Sequence, residues 1–329
     1  MSASPPADIL LLRKMHPLVE AALDARFTVH RPAPGADPDA VLREAGPRIR
    51  GLCVGGQVGV DGALMDRLPS LEIVANFGVG YDAVDAAEAG RRGVVVTNTP
   101  DVLTDEVADL AVALVLATVR RLPQADHYLR EGHWPKKGPF PLTTSLRGRR
   151  IGILGLGRIG RAIARRLEGF GVEIDYHGRS RQADVAYGYH DTLVGLARAV
   201  HVLIVVAPAT AGTRNIVDAG VLEALGPEGI LVNVARGSLV DEAALTAALK
   251  AGTIHGAGLD VFENEPHVPA ELTALDNAVL LPHVGSASEH TRAAMAQLVV
   301  DNVLSWFEGR GPLTPVPETP WTAHEGKGA

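Results

Sequence analysis

Three residues in the second half of the chain have the types and settings to protonate an anionic substrate: Arg236, Glu265 and His283. Arg236 lies in Asn233-Val-Ala-Arg-Gly-Ser-Leu-Val-Asp-Glu242, just past a predicted strand end, where open α/β sheets bind ligands. Its guanidinium fork matches a carboxylate in two parallel hydrogen bonds and stays charged at any working pH. His283, in Leu280-Leu-Pro-His-Val-Gly-Ser286, also follows a short apolar run, and imidazole is the side chain best suited to donating a proton near neutrality. Glu265, in Asp260-Val-Phe-Glu-Asn-Glu-Pro266, is expected to bond the other ring nitrogen, fixing the tautomer and favouring the protonated ring. The expected catalytic set is therefore an arginine clamp, an acid/base histidine and its carboxylate partner.

Upstream of this set stands Ile151-Gly-Ile-Leu-Gly-Leu-Gly-Arg-Ile-Gly160. In Gly155-Leu156-Gly157-Arg158-Ile159-Gly160 the first glycine permits a tight turn, the second lets backbone approach a pyrophosphate, and the third allows close helix–strand packing. Ile151 to Leu154 reads as a strand, and Ile159, Ile163 and Leu167 recur at helical spacing over 159 to 170. Phosphates would then sit on a helix N-terminus, where unpaired N–H groups and the helix dipole favour an anion. A dinucleotide turn followed by the Arg, Glu, His series points to hydride transfer, the chemistry of a dehydrogenase.

The elements that must position these residues form a βα rhythm. Short apolar runs at Ile9–Leu12, Gly51–Val54, Ile73–Asn76 and Val94–Thr97 alternate with helical stretches at Pro17–Leu23, Gly62–Leu68 and Val84–Arg91. A second series of strands covers Arg150–Leu154, Glu173–His177, His201–Val206, Gly229–Asn233, His255–Leu259 and Val279–Leu281. Continuous apolar strands between helices predict parallel sheets buried on both faces. Between the series, Thr104–Arg121 reads as one long apolar helix with acids in its first turn, buried between domains, and 288–307 reads as a helix ending at Gly309. The predicted architecture is α/β, with two doubly wound parallel-sheet domains, Rossmann-like or flavodoxin-like, and a cleft between them. Residues 1–98 plus 288–329 make the substrate-binding domain, and 99–287 the dinucleotide domain. The tail from Pro312, with prolines at 315, 317 and 320, is expected to be extended or partly disordered.

The bulk numbers narrow the classes. At 329 residues the chain has length for two domains, 47% of it is apolar and 21% charged. A net charge of −7 leaves no electrostatic footprint for nucleic acid or an anionic membrane. The single cysteine, Cys53, excludes an intrachain disulfide and CxxC metal sites, and it reads as a small buried hydrophobe. No metal ligands are assigned. Residues 1–7 are polar or proline-rich, and Ile9–Leu12 is too short for a signal-peptide core or a membrane span, so the protein is expected to stay in the cytoplasm.

The chain resembles the D-isomer-specific 2-hydroxyacid dehydrogenase family over nearly its whole length. The resemblance rests on Asn76-Phe-Gly-Val-Gly-Tyr-Asp82, Asn98-Thr-Pro, Thr104-Asp-Glu-Val-Ala-Asp109, the glycine turn, Asn233 to Glu242, Asp260 to Pro266 and Pro282-His283. It implies the clamp, partner and acid/base roles already read for Arg236, Glu265 and His283. It further implies that the Val79 and Gly80 amides hold the substrate carboxylate, that Thr104, Asp260 and Ser286 lie near a nicotinamide, and that the protein is a homodimer. Its reaction would be reduction of a 2-oxoacid to the D-2-hydroxyacid. The dinucleotide site is then expected over Thr104, Gly155, Leu156, Gly157, Arg158, Ile159, Gly160, Gly178, Arg179, Ser180, Arg181, Ala207, Pro208, Thr213, Val234, Ala235, Asp260, His283, Gly285 and Ser286.

Cofactor and substrate follow from two shorter segments. An NAD site usually ends its second strand with an acid for the ribose 2′-hydroxyl. Here Tyr176-His-Gly-Arg-Ser-Arg181 offers two arginines and a serine, which favours a 2′-phosphate and NADPH, with NAD as the alternative should Asp175 end that strand. Side-chain selection is expected from Val54-Gly-Gly-Gln-Val58, with Gly56 approaching the substrate, and from Trp134 near a partner subunit. The basic loop and the Asn76–Asp82 segment resemble the glyoxylate/hydroxypyruvate reductase branch, including its hydroxyphenylpyruvate-reducing relatives. Phosphoglycerate dehydrogenase shares the motifs and stays an alternative as a short form, since the chain is expected to leave no room for a regulatory domain. Formate dehydrogenase is disfavoured because Glu265 stands where that branch has Gln. The reading from a different class is a corepressor-like NAD(H) sensor, which turnover of glyoxylate or hydroxypyruvate would separate from an enzyme.

Overall fold

The computed structural model describes residues 6–32, 38–56 and 58–321. Residues 1–5, Gln57 of the expected selectivity segment and residues 322–329 of the tail lie outside the described residues. The chain divides into two compact units, Met1–Leu103 with Ser288–Ala329, and Thr104–Ala287.

The first unit runs β1 (Asp8–Leu11), α1 (Pro17–Asp24), β2 (Thr28–His30), α2 (Pro38–Ala45), β3 (Ile49–Gly55), α3 (Gly62–Asp66), β4 (Ile73–Phe77), α4 (Ala86–Arg91) and β5 (Val95–Thr97). Its five strands pair in the order β2-β1-β3-β4-β5, all parallel. Alternate residues serve opposite faces: Leu10, Leu52 and Val54 enter one apolar cluster, while Ile9, Leu11 and Cys53 enter the other. Both faces are therefore buried, which is why these strands read as unbroken apolar runs. Cys53 is buried as expected, and that burial pushes its thiol up to about 12.

The second unit runs α5 (Thr104–Val119), α6 (Leu122–Arg130), α7 (His133–Lys137), β6 (Arg150–Leu154), α8 (Arg158–Glu168), β7 (Glu173–His177), β8 (Gly188–Tyr189), α9 (Leu193–Ala199), β9 (Val202–Val205), α10 (Ala219–Leu225), β10 (Ile230–Asn233), α11 (Glu242–Ala251), β11 (Gly256–Leu259), α12 (Ala270–Thr273) and β12 (Ala278–Leu280). Its seven parallel strands are ordered β12-β11-β10-β9-β6-β7-β8. The order reverses between β6 and β9, the place where doubly wound sheets bind ligands beyond their carboxyl ends. Strands β9, β10 and β11 are buried along their whole length. Aspartates 218 and 241 start α10 and α11 by accepting backbone N–H bonds from Val221 and Ala244.

Helix α13 (Glu289–Phe307) belongs to the first unit and packs on α1 and β4. Ser288 caps it, and Gly309, at φ 78, lies beyond its end. No helix among the described residues is long and apolar enough to cross a membrane.

One expectation needs correction, and another is narrowed to its first alternative. The long helix over Thr104–Arg121 stops at Val119, because Arg121 takes a left-handed φ of 49 and Pro123 sits in the first turn of a new helix, α6. The start of the tail is not disordered: Pro315 bridges Thr97, Val316 N–H donates to Val96 O at 2.9 Å, and the Val96 N–H donates to Thr319 Oγ1 at 3.0 Å. It is extended because it covers the otherwise open edge of β5.

Candidate active site

The glycine turn follows β6, the strand beside the point of reversal. Gly155 has φ +98, and a Cβ there would lie 2.7 Å from Ala207 Cα, the residue at the end of the neighbouring strand path. A Cβ on Gly160 would lie 2.2 Å from Gly155 O, so the helix can press onto the turn only without a side chain there. A Cβ on Gly157 would meet nothing within 4 Å. The turn is thus closed on the protein side and open on the side where a pyrophosphate would approach. Gly157 caps α8 without a side-chain hydrogen bond, and the first turn carries Arg158 and no acid. Those first N–H groups suit an anion, so the residues present fit a dinucleotide.

Beyond β7 stands the basic loop. Arg179, Ser180 and Arg181 are exposed. Among the described residues neither arginine makes a hydrogen bond or ion pair. Asp175 lies inside β7, paired in register with Gly152, and is buried. Its carboxylate meets His190 Nε2 at 3.1 Å and Arg150 Nη1 at 3.6 Å. It does not end the strand, so the tip of β7 offers cations and a hydroxyl to a ribose. Ala207, Pro208 and Thr213 follow β9, where Thr213 Oγ1 donates to Pro208 O at 2.9 Å. Val234 and Ala235 follow β10, and Thr104 begins α5.

Arg236, Glu265 and His283 follow β10, β11 and β12, three adjacent strands. Asn233, at the end of β10, shapes the arginine's turn: its Oδ1 accepts from Ala235 N–H at 3.0 Å and its Nδ2 donates to Arg236 O at 2.8 Å. Arg236 Nη1 donates to Ala235 O at 2.7 Å. The next residue must be glycine, because a Cβ on Gly237 would stand 1.9 Å from the Phe262 carbonyl carbon. That contact presses the arginine's turn onto the Phe262–Glu265 turn.

Glu265 uses both oxygens. Oε1 accepts from Phe262 N–H at 3.0 Å, and Oε2 bonds His283 Nδ1 at 2.7 Å. Burial alone would raise the Glu265 carboxyl, but the His283 ring, the Phe262 N–H and the Arg236 charge outweigh it and hold it below the ordinary glutamate range. With Nδ1 committed, Nε2 is the ring nitrogen left for a reacting group, and the His283 side chain is 45% exposed.

His283 has a left-handed φ of 53, a conformation a non-glycine residue holds only when its surroundings impose it. Asp260 imposes it. Its carbonyl accepts from His283 N–H at 2.8 Å, and its two carboxylate oxygens accept from Val284 N–H at 2.7 Å and Gly285 N–H at 2.8 Å. Burial raises the Asp260 carboxyl against the lowering effect of those two bonds. Ser286 follows directly.

Within the first unit, the loop after β4 presents backbone donors. Asn76 Nδ2 donates to Gly78 O at 3.1 Å and Gly80 O at 3.0 Å, Asn98 Nδ2 donates to Val79 O at 2.9 Å, and Thr99 N–H donates to Gly78 O at 2.9 Å. With all three carbonyls taken, the Val79 and Gly80 N–H groups have no acceptor among the described residues. They are available to an anion. Gly56, at φ +66, follows β3.

The sequence reading missed the clamps: Asn76, Asn98, Asn233 and the loop-holding action of Asp260. All four stand inside the motifs it quoted, but their partners are backbone groups that leave no sequence trace.

The chain is similar to several known proteins. Residues 112–285 match the model of the D-isomer specific 2-hydroxyacid dehydrogenase, NAD binding domain. A glyoxylate/hydroxypyruvate reductase A from Arabidopsis thaliana is 48% identical over 308 residues, 94% of this chain and 98% of its own length. A hydroxyphenylpyruvate reductase from Plectranthus scutellarioides is 47% identical over 309 residues, with the same shares covered. Among solved structures, the NADPH-dependent glyoxylate/hydroxypyruvate reductase of Sinorhizobium meliloti, in complex with NADP and malonate, superposes with a TM-score of 0.90 at 54% identity, covering 97% of this chain and 99% of that one.

Proposed function

The chain belongs to the D-isomer-specific 2-hydroxyacid dehydrogenase family, and from that premise we propose that it reduces a small 2-oxoacid, glyoxylate or hydroxypyruvate, to the D-2-hydroxyacid with NADPH. The observation that carries this reading is the His283 Nδ1 to Glu265 Oε2 bond of 2.7 Å, which leaves Nε2 open for a substrate oxygen. The names of the relatives supply the substrate class, and the exposed Arg179-Ser180-Arg181 apex supports the phosphorylated cofactor.

Each residue then has a task. The glycine turn and the start of α8 receive the pyrophosphate, and Arg179, Ser180 and Arg181 receive the 2′-phosphate. Thr104, Asp260 and Ser286 would hold the nicotinamide end of the cofactor, which, when bound, would supply hydride to the carbonyl carbon. Arg236 holds the substrate by its guanidinium fork and draws charge toward the carbonyl oxygen. The Val79 and Gly80 N–H groups hold the carboxylate. His283 Nε2 gives the oxygen its proton, and the ring is left neutral with its remaining proton on Nδ1, where ionised Glu265 accepts it.

Work as a homodimer in the cytoplasm is part of the same proposal. Leu122, Leu129 and Trp134 on α6 and α7 are 52%, 55% and 60% exposed, an apolar set that a second copy of the chain would cover. Light scattering on a sizing column tests it: a monomer at micromolar concentration would overturn the dimer.

Initial rates with glyoxylate, hydroxypyruvate and phenylpyruvate, each with NADPH and NADH, test the activity. The expected result is faster NADPH oxidation with the two small acids. Preference for NADH overturns the cofactor assignment, preference for phenylpyruvate moves the protein to the hydroxyphenylpyruvate reductases, and no turnover overturns the substrate class.

A further inference from the structure

The apex of the basic loop does not hold itself in place. Arg179 and Arg181 have no side-chain partner among the described residues, whereas the next residue, Gln182, has three. Its backbone N–H donates to the hydroxyl of Tyr176 at 2.6 Å, and Tyr176 is fully buried in β7. Its Nε2 donates to Leu156 O at 2.9 Å, and its Oε1 accepts from Arg161 Nη2 on α8. Arg161 is itself fixed, with Nη1 and Nη2 on the two carboxylate oxygens of Asp184 at 2.7 and 2.9 Å. Asp184 lies two residues further along the same loop.

Leu156 is the middle residue of the Gly155–Gly157 turn, so Gln182 ties the loop for the 2′-phosphate to the turn for the pyrophosphate. The primary amide does both jobs, donating to a carbonyl and accepting from a guanidinium at once. A carboxylate would face the Leu156 carbonyl with no proton between them. Gln182 carries no charge, so any influence on a distant phosphate runs through geometry. Fixing a loop before its ligand arrives removes ordering cost from binding.

We infer that Gln182, held by Arg161, is a positioning residue that sets the Arg179–Arg181 apex against the glycine turn and so sets the preference for a 2′-phosphorylated dinucleotide. This rests on the NADPH reading above. A dinucleotide without the phosphate makes no use of the apex, so losing the tie weakens the phosphorylated ligand more than the plain one.

Calorimetric titration of the full chain with adenosine 2′,5′-bisphosphate and with 5′-AMP tests this without turnover. The wild type is expected to bind the bisphosphate more tightly. Gln182→Leu should lower the ratio of the two affinities about tenfold, the equivalent of two ordinary hydrogen bonds. Arg161→Met, which keeps Gln182 and removes one of its donors, should lower it about threefold and carries the same comparison should the first variant fail to fold. The KM ratio for NADPH over NADH should move in parallel. A wild type that does not prefer the bisphosphate overturns the cofactor reading. A wild-type preference retained in both variants overturns the role of Gln182, as does an equal loss for both ligands.

Discussion

The loop of His283 and the loop of Arg179–Arg181 both follow parallel strands of one sheet, yet they are built in opposite ways. Around His283 the ring Nδ1 and three consecutive backbone N–H groups have partners inside the unit: Glu265 on the ring, and Asp260 on the N–H groups, with the reacting Nε2 of the ring left open among the described residues. At the tip of β7 the arginines have none among the described residues, and the fastening sits one residue away. The difference separates two tasks. A proton donor needs a fixed direction before substrate arrives, so the chain imposes an unfavourable φ at His283 and holds it there. A phosphate site needs charge left unpaired, because a guanidinium already committed to a carboxylate has less to offer a ligand.

If that division is right, the largest effect comes from removing the fixed donor. His283→Ala should lower kcat by about 10³-fold, within the range acid–base groups contribute, in initial-rate measurements with glyoxylate and NADPH. Normal turnover would sink the assignment.

Glu265→Gln should come next among the effects on kcat, at about 10²-fold, since the amide keeps an acceptor for the ring but loses the charge. It also has a pH signature in stability. Glu265 titrates below the ordinary glutamate range in the folded chain, so its stabilisation is present at neutral pH and is lost as pH falls through the depressed value. The melting temperature of the wild type should therefore exceed that of the variant at pH 7, with the gap closing in acid. A gap that widens in acid would contradict the pairing.

Removing the unpaired charges should spare chemistry and weaken binding. Arg179→Ala with Arg181→Ala should lower kcat/KM for NADPH about 150-fold, two charge-assisted hydrogen bonds at their weaker end, and should change NADH by roughly twofold. Equal losses with the two cofactors would mean that the loop does not read the phosphate.

The smallest effect belongs to the first unit. Asn98→Ala frees one of the three carbonyls that turn the Val79 and Gly80 N–H groups outward, and KM for the oxoacid should rise about fivefold, the loss of one hydrogen bond. A KM that stays put would place the carboxylate elsewhere.

Much of this was legible in the chain. Strands β6, β9, β10 and β11 are buried on both faces and read as apolar runs, and that fixed where Gly155, Arg236 and Asp260 had to stand. The short β2, partly exposed at an edge, carries Thr28 and His30 and has no such run. The break at Arg121 depends on a backbone angle, and composition does not encode it. The tail looked like a proline-rich end because its partners on β5 lie more than two hundred residues away. The His283–Glu265 pair was readable as residue types, but the left-handed φ that aims it, and the Asp260 bonds that hold it, emerged only with the fold.

The most direct test crosses the two loops. NADPH dissociation constants and kcat would be measured side by side for His283→Ala and for the double arginine variant. The account predicts that the first loses kcat and keeps its NADPH affinity within about twofold, while the second loses affinity and keeps most of its kcat at saturating cofactor. If both variants lose the same constant, the division of labour between the two loops is wrong.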